Sequence, residues 1–375
     1  MRLLSYYARI AGVCTLVLVL GMLTGCQSGS TPDVLASAKQ ESSDTVSGAP
    51  ANIDAASAHV ALFIDRSTAG AAGDYRDGAA LAVKELGAGK LSLTVEDVAA
   101  GSADAAGQVQ KAAAGGVKFF IGSPSLAEAV ATGAKGSPFV LLASEPVGDG
   151  VSIISDEIDG LIEVAAYAAG AGRTQIMAVA ARPLSDAQAQ RLRGGIKKAG
   201  ATLVDIVTDP GSTAGKKSLA RLGDVQAVLL IGADAPKVIA PILRQGGVLP
   251  ADVPFLGTGT WPAESYAEPA LEGSLLALVD QTALKRISTR FQEAYGRALS
   301  LEAAYAFDAV AVAAGIARAK GEQGLTPEAL HATSGFAGAT GVFRFDANGR
   351  AERRFAIYRL TRGKPSLLDA APSVF

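Results

Sequence analysis

Strand-length runs that are mostly apolar, each followed by a helix-forming stretch, constrain this chain more than any other feature. Val60 to Ile64 is the first such run; Val117 to Ile121 and Phe139 to Leu142 repeat the theme, and Leu91 to Val95 alternates as a strand. Helical stretches lie between them, from Tyr75 to Leu86, through Gln108 and Lys111, and from Ser125. The rhythm then restarts. Helices over Ile158–Ala169, Asp186–Lys198, Lys216–Leu222 and Pro236–Gln245 precede strands over Ile176–Ala180, Thr202–Val207, Val225–Ile231 and Val253–Leu256. A strand with no polar face must be covered on both sides, and strands separated by helices return in parallel. Two successive sets of such units predict an α/β protein of two doubly wound parallel-sheet lobes, not one very wide sheet.

The later part of the chain departs from this rhythm. Leu284–Arg297 and Glu302–Arg318 read as helices, and Val342–Phe345 and Phe355–Leu360 as strands with a turn signal, Asn348-Gly349, between them. The expected division puts residues 58–155 with 283–335 in one lobe and 156–282 with 336–375 in the other.

The first residues read as a targeting segment. Arg2 and Arg9 supply a positive start, and Ile10 to Leu23 is an apolar run of secretory length. That run is short for a bilayer span, which needs about 20 apolar residues. It closes on Leu23-Thr24-Gly25-Cys26, which resembles the lipobox of bacterial lipoproteins. The resemblance implies removal of residues 1–25 and diacylglyceryl attachment at Cys26, an anchor to which each buried methylene adds about 0.8 kcal/mol. Gln27 stands where an Asp would imply inner-membrane retention in a Gram-negative cell, so outer-membrane sorting stays open. Residues 26–57 are rich in Ser, Ala, Asp, Gly and Pro without an apolar period, and read as a disordered tether.

Composition excludes several function classes. A net charge of -2 argues against a nucleic-acid partner, which would want a basic face. The 2 cysteines are Cys14, in the leader, and Cys26, so the folded part would hold neither disulfide nor free thiol and must rest on its core, for which a hydrophobic share of 49% is ample. The 2 histidines, His59 and His331, have no nucleophile beside them, which disfavours Ser/His or Cys/His catalysis and a His/Cys metal site. Pro210 to Lys217 looks superficially like a P-loop but lacks the first Gly and the Ser/Thr after Gly-Lys; it reads as a turn opening a helix. No dinucleotide-binding glycine motif lies between a strand and a helix, so no cofactor is expected.

Several stretches together resemble the type I periplasmic binding proteins, in the branch of the Leu/Ile/Val receptors. They are His59–Ile64 with Gly78–Val83, Phe120-Ile121-Gly122-Ser123-Pro124, and Ala304–Val310. The tail, Gly338–Asp346, Gly349–Arg353 and Asp369–Phe375, is similar to a sub-branch of penicillin-binding-protein activator-like lipoproteins. The resemblance runs from about His59 to Phe375 and implies two lobes joined by several crossovers with a ligand cleft between them.

Ligands of open α/β sheets sit outside the carboxyl ends of strands, where helix N-termini add unpaired N–H groups. Two loops meet that description, Gly122 to Ser125 and Ala143 to Pro146. In the family they resemble, such loops hold a ligand α-carboxylate, and that role falls here on Ser123, Ser125, Ala143 and Ser144. Ser125 with Glu128 also reads as a capping box. Tyr75 lies near the same cleft, or packs half-buried. In the second lobe the family's aromatic and ammonium-binding carboxylate are absent from Gly232-Ala233-Asp234 and Gly257–Trp261. Asp234, Trp261 and Asp280 are the substitutes. Asp234 serves equally as a helix cap, and Trp261 equally as filling for the lobe.

Two functions follow from the resemblance. One is the periplasmic receptor of an ABC-type importer for an amino acid or similar small polar ligand, working with a permease. The other is a regulator of peptidoglycan synthesis that contacts a synthase. Neither is an enzyme, and both would be held at the periplasmic face of a membrane by the lipid.

Overall fold

The computed structural model describes residues 58–88, 90–99, 101–245, 249 and 252–375. The leader, Cys26 and the tether to residue 57 lie outside the described residues.

The first lobe is built on β1 (Ala58–Asp65), paired in parallel with β2 (Leu91–Val98) on one side and β3 (Phe119–Gly122) on the other. β4 (Phe139–Leu141) and β5 (Val151–Ser152) extend it to a five-stranded parallel sheet in the order β2-β1-β3-β4-β5. The unbroken apolar character of β1 has a direct cause. Val60, Leu62 and Ile64 pack on one face with α1 (Ala69–Leu86) and α9 (Leu301–Lys320), while Ala61 and Phe63 pack on the other with α2 (Ala105–Ala114) and α3 (Ala127–Gly133). α9 is apolar nearly all round and is buried accordingly. It lies so close to α1 that a Cβ on Gly78 would stand 2.0 Å from the Ala303 carbonyl oxygen. α8 (Gln281–Tyr295) joins the same core through Ile287 and Phe291, and Tyr295 donates to the Asp77 carbonyl at 3.0 Å.

The second lobe holds a seven-stranded sheet in the order β15-β14-β10-β9-β8-β6-β7. β6 (Gln175–Ala180), β7 (Thr202–Val207), β8 (Ala227–Ile231), β9 (Phe255–Thr258) and β10 (Leu275–Leu278) run parallel. β14 (Ala356–Thr361) and β15 (Lys364–Asp369) close the edge antiparallel. One face is covered by α4 (Glu157–Gly170) and α5 (Asp186–Lys198), the other by α7 (Ala235–Arg244). A short helix α6 (Thr213–Leu219), capped by the Ser212 hydroxyl on the Gly215 N–H, occupies the stretch that looks like a P-loop in sequence.

The strand pairing after α9 differs from the sequence expectation. Residues 336–375 were expected to lie in the second lobe, with Val342–Phe345 and Phe355–Leu360 flanking one turn. Instead β12 (Gly341–Phe345) pairs with β11 (Phe336–Gly338) and β13 (Ala351–Arg353) in a separate three-stranded sheet. Phe343, Phe345 and Ala351 pack into the first lobe's core against α9. Only β14 and β15 reach the second sheet. The physical reason is the turn. The Asp346 carboxylate accepts from the Asn348 and Arg350 N–H groups, and Gly349 takes a φ of 78°, so the chain reverses at once and the nearest strand-forming residues, 351–353, become the partner.

The chain passes between the two lobes at 153–156, at 279–280 and at 354–355. Arg353 ties two of these passages to α9. Its guanidinium donates to the Ile153 carbonyl at 2.6 Å, the Ser155 hydroxyl at 3.3 Å, the Asp308 carboxylate at 3.3 Å and the Thr340 hydroxyl. Both Arg353 and Asp308 have side chains with 0% exposure. A buried pair of this kind is tolerable only with its remaining hydrogen bonds satisfied. Here Asp308 also accepts from the Ala339 N–H at 2.5 Å and from the Thr340 hydroxyl.

Candidate ligand cleft

The passages define which ends of the two sheets meet. β5 delivers the chain from its carboxyl end through Ile153–Asp156 into α4. The start of α4 sits over the carboxyl ends of β8 and β9, because the Glu157 carboxylate accepts from the Gly232 N–H at 3.0 Å and from the Thr260 hydroxyl at 2.7 Å. β10 likewise leaves by its carboxyl end, through Val279–Asp280, into α8 of the first lobe. The carboxyl ends of both parallel sheets therefore border the hinge, the location at which open α/β sheets take ligands.

On the first-lobe side the organising group is Asp65, at the end of β1 and 2% exposed. Its Oδ1 accepts from the Ser67 N–H at 3.0 Å and the Ser67 hydroxyl at 2.8 Å, and its Oδ2 from the Ser125 hydroxyl at 2.8 Å. The Asp65 N–H donates to Ser123 Oγ at 3.1 Å. Ser123 is 1% exposed and is part of the lobe's interior, whereas Ser125 is exposed. Ser125 does not cap its helix; α3 begins at Ala127 without a side-chain cap. Ser144 is exposed at the carboxyl end of β4, and the Ala143 carbonyl accepts from the Ile154 N–H at 3.1 Å. Beside them Glu145 pairs with Arg350 from the β12–β13 turn, bringing the small sheet to the hinge.

Other residues singled out in the sequence are used differently. Tyr75 is 5% exposed in the first core, where burial, with Glu302 and Asp74, pushes its phenol up. Trp261 is 1% exposed, and its indole N–H donates to the Leu230 carbonyl at 3.2 Å, so the ring cannot stack on a ligand. Gly257 makes room for it: a Cβ there would stand 2.1 Å from the indole. Asp280 accepts from the Thr282 N–H at 2.8 Å and the Ala283 N–H at 3.2 Å and thereby caps α8. Asp234 makes no side-chain cap; its carboxylate is 70% exposed and stands 4.0 Å from Arg182.

The structure adds residues that sequence reading missed. Asp65 ends an apolar strand, and Glu157 is the residue after the α4 cap Asp156; neither position carries a motif. Arg191 bridges Asp156 at 2.6 Å and Asp159 at 2.5 Å. Burial raises Asp159 from an ordinary 3.8 to about 6, against the downward pull of Arg191. The histidines lie elsewhere: His59 Nε2 is 2.6 Å from the Thr94 hydroxyl, and His331 Nδ1 is 3.1 Å from the Asp346 carbonyl. Among the described residues no helix is long and apolar enough to cross a membrane.

Two doubly wound lobes hinged at the carboxyl ends of their parallel strands define a two-lobed solute-binding protein. Residues 57–365 match the family described as periplasmic binding protein, and the chain belongs to that family, which binds substrates and is not catalytic. Solved structures agree in fold. A putative branched-chain amino acid ABC transporter protein from Rhodospirillum rubrum is 20% identical with a TM-score of 0.69, the match covering 83% of this chain and 100% of that one. A substrate-binding protein from Desulfitobacterium hafniense in complex with Leu is 18% identical with a TM-score of 0.59, covering 84% and 99%. A solute-binding protein from R. palustris in complex with benzoate is 16% identical with a TM-score of 0.54, covering 85% and 97%. No curated protein matches the chain.

Proposed function

We propose that this protein is a lipid-anchored periplasmic receptor that captures a small polar solute, an amino acid or a similar molecule, and presents it to an ABC-type importer. The family match supports a solute-binding role and a periplasmic location. The observation that carries the reading is the carboxylate at each side of the hinge, Asp65 over the first sheet and Glu157 over the second, each surrounded by loop hydroxyls. The solute lies between the loops at Ser123–Ser125 and Ala143–Glu145 of one lobe and at Gly232–Asp234 and Thr260 of the other. Its binding energy differs between open and closed lobes, and that difference drives closure. Cys26 carries the acyl anchor. A screen of the full chain's melting temperature against amino acids, amines and peptidoglycan fragments tests this. A binder present at a hundredfold excess over its dissociation constant stabilises the native state by about 2.7 kcal/mol.

A second reading, regulation of peptidoglycan synthesis through contact with a synthase, is favoured by one observation. Ser125 and Trp261, which would hold or stack on an amino-acid ligand, are engaged within the protein. Flat screen results together with capture of a purified cell-wall synthase would support that reading over the receptor.

A further inference from the structure

The hydroxyl groups at the hinge are polarised in one sense. A hydroxyl has a single proton to donate. Ser125 gives its proton to Asp65 Oδ2 at 2.8 Å, and Ser67 gives its own to Asp65 Oδ1 at 2.8 Å. Thr68 donates to the Asp65 carbonyl at 2.8 Å. Across the hinge Thr260 donates to Glu157 Oε1 at 2.7 Å, so that Thr258, 2.9 Å away, is the donor toward Thr260. The neighbouring backbone donors are engaged as well: Ser67 N–H with Asp65 at 3.0 Å, Ser123 N–H with the Phe63 carbonyl at 2.9 Å, and Gly232 N–H with Glu157 at 3.0 Å. Of the guanidiniums near these loops, Arg350 pairs with Glu145, Arg66 gives one N–H to the Asp97 carbonyl, and Arg182 stands 4.0 Å from Asp234. The Ser67, Ser125 and Thr260 hydroxyls, with their protons given to Asp65 and Glu157, offer a solute their lone pairs.

Resting on the receptor reading, we infer that the solute is an amine that donates hydrogen bonds to both lobes, and that Asp65 is the residue that sets this specificity by holding the Ser125 proton. A ligand carboxylate at the first lobe meets oxygen lone pairs and the Asp65 charge behind them. An ammonium or amide N–H meets acceptors already turned toward it.

Leucine and leucinamide form the matched test, since both carry an ammonium and only leucine carries a carboxylate; 1,4-diaminobutane and benzoate extend the two classes. Calorimetric titration and melting of the full chain should show the amines binding and the carboxylates at least about tenfold weaker, the worth of one charge-assisted hydrogen bond. Asp65→Asn should narrow or reverse that preference. Ser125→Ala takes a donor from the buried Asp65 carboxylate, so it should lower the melting temperature while leaving the chain folded, and should weaken amine binding about tenfold. Leucine or benzoate binding the wild type at least as well as the amines would overturn the inference and leave the receptor reading standing. No binding of any probe to wild type or Asp65→Asn would overturn both.

Discussion

Three side chains carry measurable consequences on their own. Trp261 fills the space left by Gly257, and a methyl added at Gly257 lands 2.1 Å from the ring, with the β9 backbone on one side and the core on the other. Gly257→Ala should destabilise the chain by about 1–3 kcal/mol, read as a lowered denaturation midpoint. Asp308 leaves a larger mark, because its removal strands a guanidinium with 0% exposure. Asp308→Ala should cost about 3–5 kcal/mol. Asp159 supplies one pH-dependent contribution to stability. Its folded carboxyl holds a proton up to about 6, and an ordinary one releases it near 3.8. Raising the pH through that window ionises the unfolded chain first, so this group's contribution to stability falls from about pH 4 to about pH 6 and is flat above. In Asp159→Asn, melting temperature against pH should lack that falling component. An unchanged slope would remove Asp159 as its source.

The elements divide into those whose periodicity speaks for itself and those set by contacts from far along the chain. β1, β3, β8 and the helices between them were legible because burial on both faces writes an unbroken apolar run. β5 has two residues and β11 three, too short to carry a period, and β15 is exposed along its length. The fate of β12 was decided by the Asp346 carboxylate bonding across the turn, a side-chain effect that no alternation reports. The site was legible in part for the same reason. Strand ends mark where the loops lie, but the direction of each hydroxyl depends on Asp65, whose partner Ser125 is 60 residues away. Trp261 misled because an isolated aromatic after a strand reads alike whether it turns inward or outward. α1 and α9 make the tightest helix pair, and Gly78→Val should separate them. Because the obstruction is the Ala303 backbone and not a flexible side chain, the loss should exceed that of Gly257→Ala in the same denaturation assay.

At the scale of the molecule, short chain passages join the two lobes at the carboxyl ends of their parallel strands. Arg353 anchors two of the passages to the first lobe, and Glu157 anchors the start of α4 to the second. In the proposed receptor, such a hinge would let the lobes close as units with the loops on either side converging on one solute. The central claim is this convergence. It is tested most directly by backbone hydrogen exchange of the full chain, with and without a solute found in the melting screen. The account predicts that protection rises together at residues 122–125 and 143–145 in one lobe and at 232–234 and 259–260 in the other. Protection confined to one lobe, or gathered on a surface away from the hinge, would contradict it.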